Sequence, residues 1–182
     1  MSKKEFIIEA LKDFRTIGSP LPSQRFLIKK MIVPIKSKEY KCIIELGAGE
    51  GCITKEIIKR MPKNCLLISF EIKKSLLNNK KIKNKNLIVI NDNAIRLEKY
   101  LKKYKINKID CVISSLPLSQ IGKANVARIL FIINKHLKNE GIFVQYQYSL
   151  YRLNMLKSIF SHVKISFILL NFPPAFVYEC KK

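Results

Sequence analysis

The stretch Ile43-Ile44-Glu45-Leu46-Gly47-Ala48-Gly49-Glu50-Gly51 decides the fold. A short apolar run holding one acid passes straight into glycines at 47, 49 and 51, and an amphipathic stretch, Thr54–Met61, follows. That order reads as a strand, a sharp turn and a helix. Glycine lets the backbone turn tightly and approach a ligand that a Cβ would exclude. A dinucleotide fingerprint would place its third glycine at position 52, where this chain has Cys52. The spacing, with Glu45 two residues before the first glycine, points away from a phosphate cradle. A strand-end turn with no ligand would use the same residues.

Outward from this turn, short apolar runs alternate with amphipathic stretches from Lys41 onward, the pattern of a parallel sheet covered by helices. Strands are expected at Cys42–Leu46, Cys65–Phe70, Leu87–Ile90, Ile109–Ser114 and Gly141–Tyr148. Helices are expected near Thr54–Met61, Lys73–Asn79, Ala94–Tyr104, Ala124–Leu137 and Leu150–Phe160. Asn139-Glu140-Gly141 reads as a helix stop and turn. Two last strands, Val163–Leu170 and Ala175–Cys180, lie close enough for an antiparallel hairpin. The fold class is therefore α/β: a Rossmann-like, seven-stranded, mostly parallel sheet with an antiparallel C-terminal hairpin and N-terminal helices.

Residues 1–34 read as a helical extension and 41–182 as the core of a single domain. In the extension Phe6, Ile7, Ala10, Leu11 and Phe14 recur at helical spacing opposite charged residues. Gly18, Pro20 and Pro22 break the pattern before Ser23–Ile32 resumes it. That first helix packs on the sheet, lies on a membrane surface or serves as a lid.

Composition narrows the partners. With 35 Lys+Arg against 13 Asp+Glu the net charge is +22, a field that draws polyanions; DNA, RNA and anionic lipid surfaces are all admissible. Lysine outnumbers arginine, and Ile and Asn are abundant, as an AT-rich coding bias would produce. The longest wholly apolar run, Ile129–Ile133, is far short of the ~20 residues of a bilayer span. Five cysteines without a CxxC pair and two histidines suggest no metal and a reduced, cytoplasmic setting.

Two further strand ends carry chemistry. Glu71 closes the second strand twenty residues after Gly51, the offset of an acid that holds paired ribose hydroxyls. Asp92, Asn93 and Ala94 follow the third strand; their side chains suit an adenine edge or a helix N-cap. Three such sites at successive carboxyl ends of parallel strands mark where open α/β sheets bind ligands. Together they resemble the class I S-adenosylmethionine-dependent methyltransferases over roughly residues 41–182. The resemblance implies a cofactor site of Glu45, Gly47, Gly49, Gly51, Glu71, Ile72, Asp92, Asn93, Ala94 and Ser114. The turn would approach the methionine moiety, Glu71 the ribose and Asp92 the adenine.

The fourth strand runs into Ser114-Ser115-Leu116-Pro117-Leu118. Methyltransferases of adenine and cytosine amines resemble one another in an Asn/Asp-Pro-Pro-aromatic motif at this position, which grips the amino group and stacks on the base. This chain has no Asn and no aromatic there. The segment instead resembles the soluble bacterial phosphatidylethanolamine N-methyltransferases, whose motif reads Ser-(Gly/Ser)-Leu-Pro-Leu. Arg15-Thr16-Ile17-Gly18 with Pro22-Ser23-Gln24-Arg25, then Gln145-Tyr146-Gln147-Tyr148, then Asn171-Phe172-Pro173-Pro174-Ala175 resemble further segments of that family. By this resemblance the substrate is a phospholipid headgroup amine, on an anionic membrane that a peripheral, monomeric protein docks onto. Ser114, Leu116, Pro117, Tyr146 and Tyr148 would form its pocket, with Phe172 and Phe176 across from the tyrosines. The rivals are an RNA or DNA adenine methyltransferase, although the chain ends at Lys182 without the helical RNA-gripping domain of ribosomal RNA dimethylases, and a catalytically silent cofactor- or lipid-binding module. Neither His136 nor His162 falls at a strand tip, so no catalytic base is evident.

Overall fold

The computed structural model describes residues 22–35, 39–74 and 82–182. Helix α1 (Pro22–Ile32) precedes strand β1 (Cys42–Leu46), followed by α2 (Cys52–Arg60), β2 (Leu66–Phe70) and β3 (Leu87–Ile90). Then come a 3₁₀ turn (Ala94–Arg96), α3 (Leu97–Lys103), β4 (Ile109–Ser114), α4 (Lys123–His136), β5 (Leu137–Gln147), α5 (Leu153–Ile159), β6 (His162–Ile168) and β7 (Ala175–Lys181). The strands form one seven-stranded sheet in the order β3-β2-β1-β4-β5-β7-β6. The first five are parallel, and β7 runs antiparallel between β5 and β6.

Every residue of β1 and β4 is buried, which is why their apolar runs are nearly continuous: a central parallel strand is covered on both faces. Successive side chains divide between the faces. Ile44, Leu46, Ile68, Phe70 and Val112 enter a core under α3, α4 and α5. Ile43, Leu67, Cys111, Ile113 and Val144 enter a second core under α1 and α2. Glu45 shares the second face with Ile43, so its carboxylate points under α2 rather than out of the sheet. The strand order reverses between β1 and β4, which opens a crevice at their carboxyl ends.

Three expectations are corrected. Asn139-Glu140-Gly141 does not separate α4 from β5; β5 begins at Leu137 directly after the helix, and its register against β4 shifts between Leu137 and Ile142. Gly141 permits that irregularity, because a Cβ there would lie 2.7 Å from Leu137 Cγ. Pro22 opens α1 instead of breaking it, since the first helical turn needs no N–H from that position. The stretch after Asn93 is not one helix: Asn93 Oδ1 accepts the Ile95 amide at 3.0 Å and caps a 3₁₀ turn ahead of α3. The expected helix at Phe6–Phe14 and most of that at Lys73–Asn79 lie outside the described residues.

Candidate active site

The glycine turn leaves β1 across the tip of β2. The Gly47 and Ala48 amides both donate to the Phe70 carbonyl, at 2.8 and 2.9 Å. A Cβ on Gly47 would lie 2.7 Å from Ser115 Oγ, and its φ is +83°. Gly49 has φ +54° and nothing within 4 Å of where a Cβ would sit; its backbone faces the open cavity. Gly51 is the left-handed cap of α2 and lies outside the cavity lining.

Three acids surround this turn, each with different surroundings. Glu45 is 1% exposed, and one of its oxygens accepts from Thr54 Oγ1 at 2.7 Å and from Ser69 Oγ at 2.6 Å. Burial pushes its carboxyl up to about 7, against the lowering effect of those two hydroxyls. It does not line the cavity; it ties β1 to β2 and α2 beneath the turn. Glu71 does line it. Its two oxygens accept the Gly49 and Lys73 amides, each at 2.9 Å, so it fixes the turn's shape while each oxygen keeps a free lone pair. Asp92 lies at the next strand tip, where the Asn93 amide, Tyr100 hydroxyl and Arg96 hold its carboxyl below the usual range.

The opposite wall is the loop after β4. Ser114, expected to contribute, is 1% exposed and faces inward, its hydroxyl accepting the Leu116 amide at 3.3 Å. Ser115 lines the cavity in its place, with Leu116 and Pro117. Gln145 and Gln147, neighbours on one face of β5, both donate their side-chain amides to the Leu116 carbonyl, at 3.0 and 2.9 Å. The buried Arg152 donates to the Leu118 and Ile121 carbonyls at 3.2 and 3.0 Å, holding the far end of the loop. On the other face of β5, Tyr146 and Tyr148 both line the cavity, their rings edge to face at 5.7 Å. Burial raises the Tyr148 hydroxyl far above its ordinary range.

These residues enclose a cavity of about 380 Å³. It brings together Gly47, Gly49, Glu71, Ile72, Asp92, Asn93, Ala94, Leu116, Pro117, Tyr146 and Tyr148, and leaves Glu45, Gly51 and Ser114 behind the lining. Phe176 packs on Phe167 at 5.0 Å, and neither it nor Phe172 reaches the cavity. Gln24, Leu27, Ile28 and Met31 of α1 close one side; their i, i+3, i+4, i+7 spacing is the one signal that could have found them. The charged lining residues, Glu50, Glu71 and Asp92, are all acidic, and one Glu50 oxygen is buried without a hydrogen-bond partner among the described residues. Neither histidine lines the cavity. Cys52 does, but burial raises its thiol, which argues against a thiolate nucleophile. No group of three His, Cys, Asp or Glu among the described residues could hold a metal ion.

S-adenosylmethionine fits this donor set. When bound, it supplies a methyl carbon made electrophilic by an adjacent sulfonium. Gly49 leaves room for close backbone approach, and Glu71 and Asp92 with Asn93 would be the residues to hold the cofactor's ribose hydroxyls and its adenine. The cavity's acids favour a cation. What remains for the chain is alignment: holding an unprotonated nucleophile in line with the methyl carbon, an effect of orientation rather than of covalent chemistry.

Comparison with known proteins agrees with the geometry. A curated relative, the ornithine lipid N-methyltransferase of Singulisphaera acidiphila, is 27% identical over 98% of this chain and 96% of its own length. The N-methyltransferase NodS of Bradyrhizobium japonicum, solved with S-adenosyl-L-homocysteine, shares the fold with a TM-score of 0.74 at 9% identity, over 96% of this chain and 97% of that one. A spermidine synthase in complex with the transition-state analogue AdoDATO superposes with a TM-score of 0.69 at 11% identity over 86% of this chain, which spans 60% of that protein's length. The ribosomal RNA adenine dimethylase model matches residues 18–168. The chain therefore belongs to the ribosomal RNA adenine dimethylase family and is a class I S-adenosylmethionine-dependent methyltransferase.

Proposed function

We propose that this methyltransferase acts on the headgroup amine of a membrane phospholipid, with phosphatidylethanolamine and its methylated forms the first substrates to test. It would work as a single domain docked peripherally on the anionic cytoplasmic face of a membrane. One observation carries this reading: the turn after β4 lacks the groups with which base methyltransferases grip a planar base. A base-methylating site needs an aromatic platform and a free acceptor for the exocyclic amine. Here the turn Ser115-Leu116-Pro117-Leu118 carries no aromatic, and the Leu116 carbonyl already accepts two glutamine amides. A flexible aminoethyl group needs neither. Tyr146 and Tyr148 offer ring faces for a methylated ammonium, an interaction worth ~0.5–2 kcal/mol. The lipid N-methyltransferase relative supports the same substrate class. No helix among the described residues is long and apolar enough to cross a membrane, so docking would rest on the surface.

A second reading, methylation of an RNA adenine, is favoured by the family match and the charge of +22. Radiolabelled S-adenosylmethionine offered with phosphatidylethanolamine vesicles or with total RNA separates the two. Label in the lipid phase alone is expected; label in RNA with none in lipid overturns the proposal.

A further inference from the structure

Building on the lipid-amine reading, we propose that the carboxyl edge of the sheet around the cavity mouth is a lipid-insertion surface, with the β6–β7 turn as its leading point. Because β7 runs antiparallel to β5, Phe176 sits beside Gln147 at the end of β5. Residues 169–174 therefore project from the edge where Tyr148 lines the cavity. Leu169, Leu170 and Phe172 are 69%, 65% and 69% exposed. Between them Asn171 is buried, its amide donating to the Pro173 carbonyl at 2.6 Å, so the turn has a built shape that holds its apolar side chains outward. Leu150 and Tyr151, just after β5, are also exposed. Ile72 lines the cavity and yet is 62% exposed.

Single exposed leucines are ordinary; large apolar side chains grouped around one opening mark an interaction surface. The charge around them selects the occupant. Arg25, Lys73, Lys74 and Lys123 are exposed on the elements that frame the same mouth, and the chain carries +22 overall. An anionic bilayer satisfies both features, taking the basic residues at its headgroups and the apolar tips just below. An RNA would satisfy the lysines and leave Leu169, Leu170 and Phe172 in water. Insertion there would set the cavity mouth against the headgroup layer, so a lipid amine reaches the site without leaving the membrane.

The chain has no tryptophan, so one introduced residue reports its own surroundings. Leu170→Trp and, as a control on the outer face of α4, Phe131→Trp are mixed with vesicles of phosphatidylethanolamine and phosphatidylglycerol. The expected result is a blue shift and protection from acrylamide at position 170 and neither at 131. Leu169→Ser with Leu170→Ser is expected to weaken vesicle partitioning tenfold or more, with melting temperature and cofactor affinity unchanged. If lipid is methylated while position 170 stays fully quenchable and the double variant partitions normally, the insertion surface is refuted and the lipid reading stands. A blue shift at 170 that depends on protein concentration without vesicles assigns the turn to a second copy and also refutes it. If the protein neither binds vesicles nor methylates their lipid, the lipid reading itself fails.

Discussion

Glu45→Gln should abolish a pH dependence of stability that the buried carboxyl builds into the fold. The native carboxyl titrates at about 7 against an ordinary 4.5, because burial opposes ionisation more than the Ser69 and Thr54 hydroxyls favour it. Between those values the native state holds a proton that the unfolded chain has released. Stability therefore falls as pH rises through the window, is fully present below about 4.5, and stays lost above about 7. At 1.36 kcal/mol per unit the loss is roughly 3 kcal/mol, a large part of a domain's ~5–15 kcal/mol. Glutamine matches the protonated form in shape, and its carbonyl can still accept both hydroxyls, which converge on one oxygen of Glu45. Urea unfolding followed by circular dichroism at about pH 4.5 and about pH 8 measures the effect. The variant should gain roughly 3 kcal/mol on the parent across that interval. Parallel stability profiles would show that Glu45 is ionised in the fold, and the reasoning would fail.

The remaining predictions concern ligands. Glu71→Ala should weaken S-adenosylmethionine binding by one to two powers of ten, because ~1.5–3 kcal/mol of charged hydrogen bonding is lost; calorimetry showing unchanged affinity would remove Glu71 from the cofactor site. Gly49→Val should be worse, since a branched residue strains a backbone at φ +54° and fills the approach to the cavity; an affinity above that of Glu71→Ala would contradict this. Tyr148→Ala should slow transfer to lipid by about tenfold, equivalent to ~1.4 kcal/mol of lost aromatic contact, with cofactor affinity little changed. Tyr146→Ala should also cost stability, because Tyr146 is only 7% exposed within the second core; equal melting temperatures for the two variants would refute that distinction.

The fold was legible because its signals are local. A buried parallel strand needs an apolar run, and the turn after β1 needs glycine where φ is positive, so residues 42–51 announce both. Glu71 and Asp92 follow from the same logic, each coming just after a strand whose end is visible. What stayed hidden depends on a one-residue phase. Side chains alternate across a strand, so whether Ser114 or Ser115 faces the cavity turns on where β4 ends, and that is set by pairing with β1, where Ser114 lies beside Leu46. Where Glu45 points depends on the same phase. Its position in the motif suggests ligand contact, but the pleat turns it under α2, where it braces the turn. The paired glutamines on the Leu116 carbonyl required tertiary contact between β5 and the loop after β4, which no local pattern carries.

The electrostatics of the molecule reverse between its outside and its cavity. The surface is strongly basic, yet the charged side chains that line the cavity are Glu50, Glu71 and Asp92. A polyanion is drawn to the surface and to the basic rim of the mouth but opposed inside the cavity, whereas a cation is favoured inside. The sulfonium of the cofactor and the ammonium of a lipid headgroup are both cations, so both gain from the inner field; a flipped base is neutral and gains nothing from it. The same field has a cost for the reaction, because it favours the protonated amine over the nucleophilic one. A bound sulfonium would offset part of the cavity's negative charge, so an ammonium entering beside it would be held less tightly and would lose its proton more easily.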